Sequence, residues 1–261
     1  MPPAETDADS NPSSAAYKSI VAYDGTDFEG FQRQAIGHRT VQGELESALT
    51  ELGWRGRSLL AAGRTDQGVH ASGQVIGFQL DWRHDPQDLT RALNATLPQD
   101  IAVRQTEAVS SEFHPRFSAV SRRYQYSIRI DATRDPLIER YAWRLESDPD
   151  LELIRGCSAD IVGERDFGAF GSAPVEGGHT RRTVTEASWS ATGSNLIFEI
   201  EANAFLYHMV RRIVVLLVAI GQGQEKPSTL QQMLNNPAAD WQGGLAPARG
   251  LCLANVRYDP E

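Results

Sequence analysis

The stretch RRYQYSIRI, residues 122–130, alternates with period two: Tyr124, Tyr126, Ile128 and Ile130 fall on one side, and Arg123, Gln125, Ser127 and Arg129 on the other. That is the pattern of a strand with one apolar and one polar face. Its place in the order of elements decides the fold. Downstream, Asp148-Pro149 signals a helix start with proline at the first helical position. Leu151, Ile154, Cys157 and Ile161 share a face, and Gly163 ends the helix. Strands follow at 183–190 and 196–202, then a helix at 207–221, a short extra helix at 228–234 and a closing strand at 251–258.

Upstream, the same succession is already present. YKSIVAY (17–23) is a β-branched and aromatic run ending at the turn-forming Asp24-Gly25. Thr40 caps a helix whose face is Val41, Leu45, Ala48, Leu49 and Leu52, with Gly53 behind it. Strands near 58–62 and 74–80 come next. Pro86 then opens a helix carrying Leu89, Leu93 and Leu97 that Pro98 stops, and 101–109 reads as a strand. Each half is therefore β-α-β-β-α-β, the order of a ferredoxin-like unit. The expected fold is α+β: two such halves, residues 16–111 and 112–261, sharing a mostly antiparallel central sheet with helices on one face. The cleft between the halves is the expected seat of the active site.

The 261 residues, 41% hydrophobic and 23% charged, have an ordinary globular make-up with enough chain for a sizeable core. Acidic residues number 34 against 25 basic ones, for a net charge of −9. Such a chain does not hold nucleic acid by bulk positive charge, so any phosphate-binding surface has to be local. The charge is indeed uneven. Residues 114–134 hold five arginines (116, 122, 123, 129 and 134) and one acid, Asp131, whereas 146–166 hold seven acids and two arginines. A confined arginine-lined cleft on an otherwise anion-repelling protein follows. Lys18 and Lys226 are the only lysines beside 23 arginines. That skew suits bidentate phosphate contacts, and codon bias accounts for it equally well.

Cys157 and Cys252 form no CxxC pair and no disulfide framework, and the six histidines lack metal-ligand spacing. No metal and a reducing compartment are expected. Residues 1–15 are acidic and rich in Pro and Ser, with neither the basic start nor the apolar run of a secretory signal, and read as a disordered tail. The most apolar run, Ile213 to Ile220, is far shorter than the roughly 20 residues that span a bilayer. It reads as a buried helix, so a cytoplasmic protein with no membrane contact is expected.

The densest chemistry lies in AGRTDQGVH, residues 62–70, where Arg64, Thr65, Asp66 and His70 stand between Gly63 and Gly68. On spacing alone this is equally an aspartate-favoured turn with Arg64 pairing across it. A carboxylate held beside an arginine keeps its charge and suits a nucleophile better than a general acid.

Six motifs in order widen the view. AAGRTDQGVHASGQVIGF (61–78) resembles the active-site motif of the TruA family of tRNA pseudouridine synthases. YDGTDFEGFQRQ (23–34), NATLPQDIAV (94–103), FHPRFSAVSRRYQYSI (113–128), NAFLYHMVRRIV (203–214) and RGLCLANVRY (249–258) resemble that family's further landmarks. With the strand that leads into the earliest of them, they run from about Tyr17 to Tyr258. The resemblance implies cofactor-independent isomerisation of uridine to pseudouridine at positions 38, 39 and 40 of the tRNA anticodon arm, by a homodimer that grips one tRNA across both subunits. It implies that Asp66 is the catalytic aspartate, Arg64 the arginine that pairs with it, and Tyr124 the tyrosine stacking on the target base. Leu251 is then a pocket wall and Arg211 a residue completing the site. Arg116, Arg123, Arg181 and Arg182 are candidate contacts to the RNA. Gln67 departs from the small residue usual after the aspartate, and 167–183 keeps only a loose likeness.

The implied chemistry fits these residue types. Breaking the C–N glycosidic bond builds positive charge at C1′, which a carboxylate stabilises or traps. The detached uracil has to turn over inside a closed pocket, and the target base has to leave its stack, which an aromatic ring partly offsets. Two readings from other classes compete: a non-catalytic RNA-binding protein of paired ferredoxin-like units, and a carboxylate-dependent glycosidase, which normally needs a second positioned carboxylate.

Overall fold

A computed structural model of the chain describes residues 14–35, 37–175, 177–239 and 242–259. Of the expected tail, residues 1–13 lie outside these, and Ala15 already belongs to the first strand. The first half runs β1 (Ala15–Tyr23), α1 (Val41–Glu51), β2 (Leu60–Ala61), β3 (His70–Leu80), α2 (Pro86–Thr96) and β4 (Ile101–Val109). The second runs β5 (Ala119–Ile130), β6 (Trp143–Leu145), α3 (Leu151–Ala159), β7 (Gly163–Asp166), β8 (Arg181–Thr192), β9 (Asn195–Ala202), α4 (Met209–Gly221), α5 (Pro227–Asn235) and β10 (Leu251–Tyr258).

The strands form one ten-stranded sheet in the order β4-β1-β3-β10-β5-β9-β8-β7, with β2 on β3 and β6 on β5. Pairing is antiparallel except at β3/β10 and β5/β6. In each half the principal strands stand in the same spatial order: fourth, first, third, second. They are β4-β1-β3-β2 in one half and β10-β5-β9-β8 in the other. The α+β class and the mostly antiparallel sheet expected from the repeated element order are present.

The halves meet because β2 is so short. It covers β3 only at Ile76 and Gly77, which leaves the start of the same edge free. There β10 pairs in parallel, Cys252 with His70 and Leu253 with Ala71. The chain's last strand is thus inserted beside the loop that carries Asp66. The strand expected near 58–62 is corrected to Leu60–Ala61 alone. Two short strands, β6 and β7, were not foreseen, since three or four residues are too few to show a period.

Local signals explain the helix ends. Thr40 Oγ1 accepts from Gly43 N at 3.3 Å, the cap read from the sequence. For α3 the cap is Asp150, whose carboxylate accepts from Leu153 N at 3.0 Å, so the helix begins two residues later than the Asp148-Pro149 signal implied. Helix α4 is buried almost all round, through Met209, Val210, Ile213, Val214, Leu216, Leu217, Val218 and Ile220. It packs against α3 and α5 as well as the core, which is why its sequence carries no polar stripe. The apolar faces of β5 and β9, with Tyr126, Ile128, Phe198 and Ile200, belong to one core that runs through both halves. Arg123, Gln125, Glu199 and Glu201 occupy the opposite face and pair with one another. Among the described residues no helix is long and apolar enough to cross a membrane.

Candidate active site

Residues 62–69 bridge β2 and β3, and the first motif of the chain holds them in place. Phe31 N donates to Thr65 O at 3.0 Å, and the Tyr23 hydroxyl and Thr65 Oγ1 share a hydrogen bond of 2.8 Å. Gln74 Nε2 donates to Gly63 O at 2.8 Å. Gly25 lies so close that a Cβ there would sit 2.0 Å from Val69 O, so only glycine fits. Its N–H donates to His70 Nδ1 at 3.0 Å. Within the loop, Val69 N closes a turn onto Asp66 O at 3.1 Å, and Gly68 supplies the left-handed φ of +75° that the turn requires. The motifs at 23–34 and 61–78 are therefore two sides of one rigid turn that presents Asp66.

The facing wall is the segment entering α4. Arg211, only 14% exposed, donates from Nε to Ala246 O at 2.7 Å and from Nη1 to Asp66 Oδ2 at 3.1 Å. His208 Nε2 lies 3.5 Å from the same oxygen. At φ +63°, His208 is the one non-glycine residue with positive φ among the described residues, a strained backbone beside the carboxylate. Arg64 does not pair with Asp66. It is exposed, and its Nη1 reaches the Tyr207 hydroxyl at 3.4 Å. The expected pairing is corrected: the anchored, mostly buried Arg211 occupies the carboxylate's free side, and Arg64 swings to the rim.

The floor is apolar. Tyr124 is buried, with the Phe205 ring edge-on at 5.0 Å. Leu251, first residue of β10, is buried beside it. Burial, reinforced by nearby Tyr23 and Asp66, pushes the Tyr124 phenol well above its ordinary value, so it stays protonated. These residues enclose a cavity of about 400 Å³.

Among the described residues, five arginines, Arg64, Arg116, Arg122, Arg182 and Arg211, line this cavity, and Asp66 is the only carboxylate. Of the five arginines in residues 114–134, Arg116 and Arg122 are among them. Arg182 is buried, and its Nε has no hydrogen-bond partner among the described residues. Burial and neighbouring Arg116 pull its guanidinium below the usual value, while its Nη1 donates to His179 O and Arg181 O. Arg122, also buried, donates to four carbonyls, those of Ala62, Arg116, Ala119 and Asn203, and so ties both walls together.

Two expected RNA contacts are placed elsewhere. Arg123 lies on the opposite face of β5, paired with Glu186 and Glu201, each at 2.7 Å. Arg181 pairs with Glu164 at 3.0 Å and is exposed away from the cavity. The cause is strand alternation: Arg122 shares a face with Tyr124, and Arg182 points inward where Arg181 points out. The same period-two count could have selected Arg122 in advance. Tyr207, His208 and Phe205 lay inside a quoted motif but carried no signal of their own. Among the described residues no three His, Cys, Asp or Glu side chains converge in a way that could hold a metal ion.

Comparison with known proteins bears on this geometry. A family profile described as tRNA pseudouridine synthase matches residues 20–118 and 158–259. The tRNA pseudouridine synthase A of Bacillus licheniformis is 40% identical over 244 residues, covering 93% of this chain and 98% of that protein. Those of Moorella thermoacetica, at 39% over 92% of this chain and 98% of the relative, and Chloroflexus aurantiacus, at 39% over 92% and 88%, are similar. A solved structure titled as an unknown protein from Galdieria sulphuraria aligns with a TM-score of 0.22 at 14% identity, covering 81% of this chain and 93% of that one, too little to support an argument.

Proposed function

The chain belongs to the tRNA pseudouridine synthase family, and from that premise we propose that it isomerises uridine to pseudouridine at positions 38, 39 and 40 of the anticodon stem-loop, with Asp66 as its catalytic carboxylate. The observation that carries this reading is the pinning of Asp66 by Arg211 inside an apolar-floored, arginine-rimmed cavity.

The residues divide the work. The N1–C1′ bond breaks with its electron pair leaving on the uracil, and Asp66 meets the positive charge that builds at C1′. Arg211 fixes which carboxylate oxygen faces the sugar. Tyr124 and Leu251 wall the detached base so that it turns over without escaping. C5 then bonds to C1′, its proton is lost to solvent, and N1 takes one up, so atoms balance with no external reagent. Tyr124, held neutral by burial, serves as the stacking wall. Arg116 and Arg182 are the phosphate contacts, and Arg64 at the rim steers the backbone. Asp66 is the only carboxylate among the described residues lining the cavity, which favours this reading over a glycosidase with its usual pair of acids.

The same proposal takes residues 16–111 and 112–261 as the two halves, supported by their common strand order. It also takes the working form as a cytoplasmic homodimer, supported by the family resemblance. Sedimentation of the purified protein with and without tRNA tests the dimer. Mapping pseudouridine in tRNA from cells with and without this protein tests the positions. Loss of the modification at 38–40 alone is expected, and unchanged tRNA overturns the assignment.

A further inference from the structure

Phe117 is 76% exposed and stands at the mouth of the cavity that holds Asp66. A single exposed phenylalanine is unremarkable by itself. What distinguishes this one is how firmly it is held out. His114 N donates to Ser118 Oγ at 3.1 Å, and Ser118 N returns to His114 O at 2.9 Å. His114 Nδ1 accepts from both Arg116 N and Phe117 N. From outside the turn, Arg122 holds Arg116 O, and the Tyr258 hydroxyl holds Pro115 O at 2.8 Å. The ring thus has almost no protein cover on a turn pinned from several sides. The His114 ring lies 4.3 Å from its centroid and the Arg116 guanidinium 5.7 Å. The imidazole, its pKa lowered by burial, backs the phenyl ring, most of whose surface stays open to solvent.

We infer that Phe117 is a stacking platform for an unpaired nucleobase next to the target uridine. This rests on the proposed function above. A flipped nucleotide leaves its neighbours unstacked at the point where it enters the pocket. An aromatic face there recovers stacking for whichever base is present, because every base has a π-face. Arg116, on the same turn, holds the adjoining phosphate. The pairing of a tolerant ring with a charged neighbour lets one enzyme accept targets with different flanking bases.

The test uses the full chain with an anticodon stem-loop tritiated at uracil C5 of the target, at fixed salt. Phe117→Ala is expected to raise KM and Kd about 10-fold, the loss falling on binding rather than on kcat. Phe117→Trp restores affinity, and Phe117→Leu, apolar but without a π-face, does not. Removing the base on the 5′ or the 3′ side of the target costs the wild type about as much, and costs Phe117→Ala nothing further. Wild-type affinity in Phe117→Ala overturns the inference. So does an abasic penalty equal in both proteins at both positions, equivalence of Leu and Trp, or a change in the RNA-free oligomer on substitution. Failure of the underlying reading looks different: the wild type itself then releases no tritium.

Discussion

Arg211 Nη1 lies 3.1 Å from Asp66 Oδ2 although 145 residues separate the two. Asp66 comes from the loop before β3, and Arg211 from the first turn of α4. The same guanidinium is tied through Nε to Ala246 O. The orientation of the carboxylate is therefore a product of how the two halves pack, and the neighbour two residues away, Arg64, plays no part in it.

Arg211→Ala is expected to lower kcat by on the order of 10²-fold, the scale for losing one preorganised donor at a reacting centre. Arg64→Ala, removing a rim contact to Tyr207, is expected to cost clearly less and mainly in KM. Steady-state tritium release on both variants decides. Equal losses in kcat would contradict the pairing seen here.

Two adjacent arginines should behave differently. Arg122 is buried and satisfies four carbonyls, so Arg122→Ala strands them and is expected to destabilise the fold by about 2–4 kcal/mol. Arg123 is one-third exposed on the opposite face, where it shares its charge between the part-exposed Glu186 and the more buried Glu201. Arg123→Ala is expected to fall within about 1 kcal/mol and to leave RNA affinity unchanged. Urea unfolding and a binding titration check both. A drop in affinity for Arg123→Ala would restore it as an RNA contact.

His70 gives the fold a pH dependence. Burial holds its pKa below the ordinary value despite Asp24 at 3.2 Å, and its Nδ1 is already accepting from Gly25. An unfolded histidine titrates near about 6.5. Below that pH the unfolded chain takes up a proton that the folded one refuses, so this contribution is whole above about 6.5 and is lost as pH falls. His70→Gln, which keeps an acceptor, is expected to flatten the decline in urea midpoint between pH 7.5 and 5.5. An unaltered slope would show that His70 is not responsible.

The fold was legible where a period or a cap was strong. The alternation at 122–130 gave β5, the apolar run at 213–220 gave α4, and Thr40 gave the start of α1. Strands of two to four residues, β2, β6 and β7, left no period to read, yet the shortness of β2 is what admits β10 beside the Asp66 loop. In the site, Asp66, Tyr124, Leu251, Arg116, Arg182 and Arg211 converge on one cavity. Arg123 and Arg181 do not, because neighbours along a strand face opposite ways. The pairing of Asp66 with Arg211 and not Arg64 lies in tertiary packing, which spacing along the chain does not encode.

The central claim, that Asp66 carries a uridine isomerisation in tRNA, is tested most directly by tritium release from tRNA labelled at uracil C5, with wild type and Asp66→Asn compared at equal fold by circular dichroism. The wild type is expected to release tritium matched by pseudouridine in the anticodon arm, and a folded Asp66→Asn to lose about 10³-fold or more of that rate. No release by the wild type, or near-normal release by Asp66→Asn, would contradict it.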